Sequence, residues 1–184
     1  MRIGITGGIG SGKSYICDIF HRKYNIPIFN SDKVAKEVMK EKDIRFKIIR
    51  TFGNDSFIGD NINIDKFNKL LFSSETNLKK MNEIIVPRVI EHYEFFNLHR
   101  KNTIIESAII FNTDVYNHID ICILVETDMN FRMKQLKLRY NNDVDLIMKK
   151  ISAQSYNPYL ADYILKNDNT IEEQIDKLAE KINI

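Results

Sequence analysis

A glycine-rich loop near the amino terminus constrains the fold more than any other stretch of this sequence. Residues 7–14 are Gly-Gly-Ile-Gly-Ser-Gly-Lys-Ser and match the pattern G-x-x-x-x-G-K-S/T at every fixed position. The short apolar segment 2–6 before the loop is typical of a buried strand, and Ile16, Ile19 and Phe20 follow at helical spacing. The sequence therefore predicts a strand, a phosphate-binding loop (residues 7–14, the phosphate loop) and a helix.

This arrangement is suited to a nucleoside triphosphate. Glycines let the backbone turn tightly and present N–H groups to phosphate oxygens, and the start of the next helix adds partial positive charge. We expect Lys13 to bridge the outer phosphates and the hydroxyl of Ser14 to bind Mg²⁺. The residues predicted to bind the nucleotide are Gly8, Gly10, Ser11, Gly12, Lys13, Ser14 and Tyr15.

The bulk properties favour one soluble domain. A length of 184 residues fits a single compact domain, and a net charge of +2 gives no indication of nucleic-acid binding. Cys17 and Cys122 lack the spacing of metal ligands and are expected to be buried, reduced thiols. We expect no signal peptide, because the sequence begins with a predicted core strand, and no apolar run is long enough for a membrane, so we expect a cytoplasmic protein.

A second candidate site residue follows the second predicted strand, at 25–29. Asp32 comes directly after it, near the carboxyl end of the strand, where open α/β sheets place their ligands. Ser31 or Asp32 could instead cap the next helix. The sequence favours neither role for Asp32, helix cap or catalytic carboxylate, over the other, and one residue can fill both.

The segment from Ile44 to about Leu98 is mostly helical in pattern and contains no strand of the central sheet. Helices are predicted around 44–52, 64–72 and from 75 onward, with a loop at 53–60 between the first two. Pro87 should break or kink the last of them. The segment resembles the helical insertions that hold the second substrate in small-molecule kinases.

Three further strands and a pair of helices complete the pattern. The strands are predicted at 103–106, 121–125 and 161–165, and a last amphipathic helix at 171–182. Glu106 ends its strand near the phosphate loop and either holds a Mg²⁺-bound water or a substrate hydroxyl, or caps the next turn; the capping role is slightly favoured.

The helices after the fourth strand are predicted to form a mobile lid. On the first of them, Arg132, Gln135 and Arg139 share one face, and a second helix contains Ile147, Ile151 and Gln154. The alternative for the basic residues is a solvated helix surface.

Taken together, these motifs resemble the dephospho-coenzyme A kinase family over nearly the whole chain. The resemblance is carried by residues 5–14 and by Ser31-Asp32 after the second strand. It continues through Pro87-Arg88-Val89, residues 106–109, the helix that ends at Arg139, and Gln154 with Ala161-Asp162.

The resemblance implies an α/β fold, a three-layer P-loop NTPase with a five-stranded parallel sheet. It implies a single domain with a core (1–33, 100–128 and 161–184), a helical coenzyme-binding insertion (34–99) and a helical lid (129–160). The implied reaction transfers the γ-phosphoryl group of ATP to the 3′-hydroxyl of dephospho-coenzyme A, with ATP and Mg²⁺ as cofactors. By the same analogy the catalytic residues are Lys13, Asp32, which would orient or deprotonate that hydroxyl, and Arg139, which would contact the ATP phosphates.

The chain departs from the family pattern at several positions outside the phosphate loop. Val86 stands where the family usually has His, Gln135 where a basic residue is common, and Tyr140 where Asp often follows the lid arginine. These differences predict a slower enzyme or a rearranged lid. They also keep open a different small-molecule P-loop kinase and a nucleotide-binding protein without transfer activity. A GTPase is not indicated, because Lys166-Asn167-Asp168 has the wrong order for a guanine-reading motif.

Overall fold

The computed structural model describes residues 1–59, 61–71, 73–152 and 157–184. The chain divides into two compact units, one of residues 1–30 with 96–184 and one of residues 31–95. The strands are β1 (Arg2–Thr6), β2 (Ile28–Asn30), β3 (Phe57–Ile58), β4 (Asn61–Ile62), β5 (Thr103–Glu106), β6 (Ile121–Glu126) and β7 (Tyr163–Lys166). The helices are α1 (Lys13–Tyr24), α2 (Ser31–Val38), α3 (Lys42–Phe52), α4 (Ile64–Leu71), α5 (Glu75–Asn97), α6 (Met129–Arg139), α7 (Val144–Ser152) and α8 (Ile171–Lys181).

The first unit is built on a five-stranded sheet in the order β2-β5-β1-β6-β7. Every neighbouring pair in it is parallel, which confirms the predicted sheet. In this register Ile5 of β1 lies between Glu106 of β5 and Ile123 of β6. Because β1 is the central strand, the loop that follows it emerges in the middle of the carboxyl edge of the sheet, where such sheets bind ligands.

The core of this unit explains why the strands form where they do. Ile3, Ile5, Ile104 and Ile123 are fully buried and pack with residues of α1 and α8 in one apolar cluster. Residues that alternate with them are buried as well, among them Phe29, Ile105, Cys122 and Leu124. Strands buried on both faces are expected as continuous apolar runs, and the predicted runs at 103–106 and 121–125 agree with β5 and β6.

Two strands differ from their predicted bounds. The strand predicted at 25–29 is Ile28–Asn30, and the strand predicted at 161–165 is Tyr163–Lys166. At the second, Asp162 precedes the strand, and its side chain accepts a hydrogen bond from the N–H of Cys122 at 2.7 Å. The N–H of Cys122 is thus bound by the carboxylate of Asp162 and not by a backbone carbonyl of the neighbouring strand.

The second unit, residues 31–95, is mainly helical, as predicted, with one addition. The predicted loop at 53–60 contains a 3-10 turn at Asn54–Ser56 and the first strand of a hairpin formed by β3 and β4. Phe57 of β3 is buried, and the guanidinium of Arg45 lies 4.7 Å from the centre of its ring. Asp60 and Phe72, which were included in the sequence predictions, lie outside the described residues.

The expectation at Pro87 is a break or a kink; the break is wrong, because α5 continues as one helix from Glu75 to Asn97, and the kink stays a prediction. An internal proline costs a helix about 3 kcal/mol, since it cannot donate to the carbonyl four residues earlier. The apolar side chains around it more than offset this cost at about 1.5–3 kcal/mol for each one buried. Those with less than a tenth of their surface exposed are Met81, Ile85, Val86, Val89 and Tyr93.

None of the helices in the described residues is long and apolar enough to cross a membrane.

Candidate active site

The phosphate loop joins the central strand β1 to helix α1. The N–H of Ser11 donates to the carbonyl of Gly8 at 3.0 Å, and the N–H of Ile16 donates to Gly12 at 3.1 Å, where α1 begins. Gly12 has φ 90° and ψ 20°, a left-handed conformation that a side chain would strain. Gly12 also has no side chain to cap α1, so it offers no side-chain acceptor to the N–H groups of the first helical turn, and such groups suit an anion.

Lys13 lies on the loop, as predicted. Its side chain is 8% exposed, and Nζ donates to the carbonyl oxygens of Gly7 at 2.9 Å and Gly8 at 3.2 Å. These contacts hold the ammonium beside the loop, where the motif places the outer phosphates.

Glu106 connects the predicted Mg²⁺ ligand to the sheet. The hydroxyl of Ser14 donates to Oε1 of Glu106 at 2.5 Å, and Nδ2 of Asn30 donates to Oε2 at 2.7 Å. The hydroxyl of Ser107 accepts from the N–H of Ile109 at 3.3 Å and so stabilises the turn after the strand. This geometry places a carboxylate beside the predicted Mg²⁺ ligand, and the choice between the two roles considered for Glu106 stays a prediction.

The two cysteines are buried, as predicted, and are poor nucleophiles. Burial, and then the carboxylate of Glu106, raise the pKa of the Cys17 thiol well above its ordinary value, against a smaller lowering by Lys13. Burial, and then Asp162, raise the pKa of Cys122 to about 12. Since the thiolate is the reactive form, neither residue is a candidate for covalent catalysis.

A nucleoside triphosphate fits the groups that the loop presents. The hydroxyl of Ser11 is buried and has no hydrogen-bond partner among the described residues. Buried polar groups are normally paired, so this hydroxyl is available to a ligand oxygen. Together with the Lys13 ammonium and the N–H groups at the start of α1, it provides the donors that a phosphate requires.

Side chains from later in the chain pack against the glycines of the phosphate loop, which have no side chains of their own. A Cβ built on Gly8 would lie 2.2 Å from Nη2 of Arg132, and one on Gly12 would lie 2.0 Å from Nδ2 of Asn167. A Cβ on Gly10 would lie 2.9 Å from Cγ of Leu136. The glycines therefore allow α6 and the residue after β7 to approach the loop closely.

Sequence reasoning missed the roles of Arg132 and Asn167. Nδ2 of Asn167 donates to the carbonyl of Ser11 at 2.9 Å, and Nε of Arg132 donates to the carbonyl of Ile9 at 2.5 Å. The sequence places Asn167 after a predicted strand, at the edge of the sheet where ligands bind, but it does not give the strand order that brings this residue to the loop. Arg132 shares a helix face with Arg139, but only the packing of α6 shows which of them meets the loop.

The other predicted site residues have different surroundings. Asp32 lies in the second unit, exposed, within the first turn of α2, because that helix begins at Ser31. Arg139 is exposed at the last residue of α6, and Tyr15 on α1 is 49% exposed. Gln154 lies outside the described residues. The roles given to Asp32, Arg139 and Tyr15 stay predictions.

Comparison with known proteins gives a family for residues 1–173, which match the sequence model described as dephospho-CoA kinase. A dephospho-CoA kinase of Clostridium tetani is 30% identical over 197 residues, covering 100% of this chain and 86% of that protein. One of Fusobacterium nucleatum is 30% identical over 187 residues, covering 97% and 95%. A crystal structure of a Thermus thermophilus protein shares the fold with a TM-score of 0.78 at 21% identity, covering 100% of this chain and 96% of that one.

Proposed function

Because this chain belongs to the dephospho-CoA kinase family, a family of phosphotransferases, we propose that it transfers the γ-phosphoryl group of ATP to the 3′-hydroxyl of dephospho-coenzyme A. The observation that carries the proposal is the phosphate loop at the centre of the sheet, with Lys13 lying on it and Ser14 bonded to Glu106. The family match favours this acceptor over the nucleoside or sugar acceptors of other small kinases.

The loop would bind the triphosphate through its N–H groups, the ammonium of Lys13 and the hydroxyl of Ser11. The oxygens of Ser14 and Glu106 would hold Mg²⁺, which neutralises part of the phosphate charge when it is bound. Tyr15, next to Ser14 on α1, would complete the nucleotide site through its backbone N–H.

Transfer requires the acceptor hydroxyl to meet the γ-phosphorus in line with the leaving oxygen. The acceptor oxygen forms the new P–O bond, the bond to the oxygen bridging the β- and γ-phosphates breaks, and ADP leaves. The carboxylate of Asp32 would orient the 3′-hydroxyl and accept its proton. Arg139 would bind phosphate oxygens after the segment 129–160 has closed as a lid. Such catalysis consists mainly of positioning and of charge stabilisation.

The remaining parts of the proposal concern the acceptor and the compartment. The helical segment 34–99 would bind the coenzyme. A cytoplasmic location is supported by the two buried, unpaired cysteines, which suit a reducing compartment.

The test is a coupled assay of ADP release with dephospho-coenzyme A as acceptor, beside adenosine and a reaction without acceptor. We expect release that depends on dephospho-coenzyme A alone. ATP binding without acceptor-dependent release, or release that depends on adenosine instead, would contradict the proposal.

Asp32→Asn tests the role of the carboxylate in the same assay. The variant should lower kcat by about 10²–10⁴-fold, the range for a general base, with little change in ATP affinity. Asp18→Asn, an exposed carboxylate on α1 outside the residues proposed to bind the nucleotide or the coenzyme, is the matched control and should retain turnover. A loss of ATP affinity without loss of kcat would leave Asp32 with a structural role only.

A further inference from the structure

Arg132 is a buried cation whose environment does not explain its charge. It is 6% exposed, although its helix, α6, lies at the protein surface on its other side, where Lys134 and Lys137 are exposed. Its Nε donates to the carbonyl of Ile9, and no hydrogen bond joins the two terminal nitrogens to a described residue; these nitrogens are not among the fully buried polar atoms, so a ligand can reach them. Removing a guanidinium from water is costly unless an anion compensates for it.

No carboxylate among the described residues supplies that compensation. Asp128, one turn earlier on the chain, accepts instead from the N–H groups of Asn130 and Phe131 and caps the helix. If Arg132 only filled space, an apolar side chain of similar volume, such as methionine, would serve without the cost of desolvation. The charge therefore indicates a negatively charged ligand.

The position of the guanidinium indicates which part of the nucleotide it would meet. Its Cζ and both terminal nitrogens lie within 2.2–2.8 Å of the place that a Cβ on Gly8 would occupy. Gly8 is also one of the two residues whose carbonyls bind Nζ of Lys13. Since Lys13 is the residue of this motif that reaches the β- and γ-phosphates, Arg132 approaches the same segment of the loop as that lysine.

We propose that Arg132 is a phosphate-binding residue, whose guanidinium contacts the outer phosphates of the nucleotide held by residues 7–14. This inference rests on the proposed function, and it adds a cation that is fixed on the loop in advance. The bond from Nε to Ile9 aims the terminal nitrogens, and a guanidinium can bind two phosphate oxygens at once. Arg132 thus complements Lys13, which supplies a point charge.

The test compares Arg132→Met with Lys134→Met, an exposed cation on the same helix, in the full-length protein without acceptor. Calorimetry would measure the affinities for Mg²⁺-ATP, for inorganic tripolyphosphate with Mg²⁺, and for adenosine. We expect Arg132→Met to weaken ATP and tripolyphosphate by roughly ten- to a hundredfold, the effect of losing a hydrogen bond to a charged group. Adenosine affinity and all affinities of Lys134→Met should change by less than about twofold. Arg132→Lys should recover part of the loss, because it restores the charge without the planar geometry.

A second readout separates ligand binding from packing. Without nucleotide, Arg132→Met should melt at the same temperature as the parent protein or higher, because a cation that is largely withdrawn from water, with no anion beside it among the described residues, has been replaced by an apolar side chain of similar volume. A lower melting temperature with a parallel loss of all ligands would show that Arg132 only supports the fold, and overturn the proposal. Unchanged tripolyphosphate affinity, or tripolyphosphate that does not bind the parent protein, would also overturn it.

A third outcome is a loss of adenosine affinity with tripolyphosphate unaffected. It would place the guanidinium against the base instead of the phosphates and so contradict the proposal. These assays contain no acceptor, so a failure of dephospho-coenzyme A to be phosphorylated would contradict the proposed function alone.

Discussion

Gly12→Ala should destabilise the fold through two separable effects. Gly12 has φ 90°, where an alanine is strained by about 1–2 kcal/mol. The added Cβ would also lie 2.0 Å from Nδ2 of Asn167, so this side chain would have to move. Its hydrogen bond to the carbonyl of Ser11, worth about 1 kcal/mol, would then be lost.

The two terms add to about 2–3 kcal/mol. For a chain of 184 residues, each kcal/mol lowers the melting temperature by about 2–4 °C. Gly12→Ala should therefore melt about 7 °C below the parent protein. Gly59→Ala isolates the backbone effect, because Gly59 has φ 59° and no atom lies within 4 Å of a Cβ placed there; it should lower the melting temperature by about half to two thirds as much.

A double-mutant cycle with Asn167→Ala tests the reasoning. In the Asn167→Ala background the obstructing amide and its hydrogen bond are already absent, so Gly12→Ala should cost only the backbone strain. Urea unfolding should give a coupling free energy of about 1 kcal/mol between the two sites. An equal cost of Gly12→Ala in both backgrounds would refute the contact between Asn167 and the loop as the source of the second term.

Three further predictions concern the site and the core. Lys13→Ala should lower acceptor-dependent ADP release at least about a hundredfold, because part of the phosphate charge is then unmet in the transition state; near-normal release would exclude Lys13 from the site. Glu106→Gln retains the side-chain shape but removes the charge beside Ser14, so the Mg²⁺ concentration for half-maximal rate should rise about tenfold, and an unchanged Mg²⁺ titration would leave Glu106 a structural role. Burial, followed by Asp162, raises the pKa of Cys122 from 9.0 to about 12, so the folded state holds this proton more tightly and the free energy of unfolding falls as pH rises from 9 toward 12. Between pH 8 and pH 10.5 the parent protein should lose about 2 kcal/mol more than Cys122→Ala in urea unfolding, and equal losses would contradict this linkage.

Features that depend on residues close together in the sequence could be predicted from it. The phosphate loop is a contiguous motif, and the strands of the sheet are short apolar runs whose burial follows from a parallel sheet. The hairpin of β3 and β4 was missed because two residues in each strand are too few to show a period. At Pro87 the local rule was correct about the lost hydrogen bond, but burial along α5 outweighed it.

The contacts that enclose the loop could not be read from the sequence in the same way. Arg132 meets Ile9 across 123 positions of the chain, and Asn167 meets Ser11 across 156. Both contacts depend on the order of strands in the sheet, which places β6 and β7 beside β1. Hydrophobic patterns predict the strands but not their order, so the residues that follow β6 and β7 could not be assigned to the loop in advance.

Packing of α6 on the loop also bears on how the expected lid, residues 129–160, can work. Arg132 and Leu136 are buried against Gly8 and Gly10, whereas Arg139 is exposed at the end of the same helix. Moving the first part of α6 away would expose Leu136 and uncover the loop, at a cost of about 1.5–3 kcal/mol for the leucine alone. Closure over a nucleotide is therefore cheapest if the helix stays on the loop up to Leu136 and the chain bends beyond it. In that arrangement Arg132 lies on the phosphate loop before the nucleotide binds. Arg139 would reach the phosphates only when the lid closes.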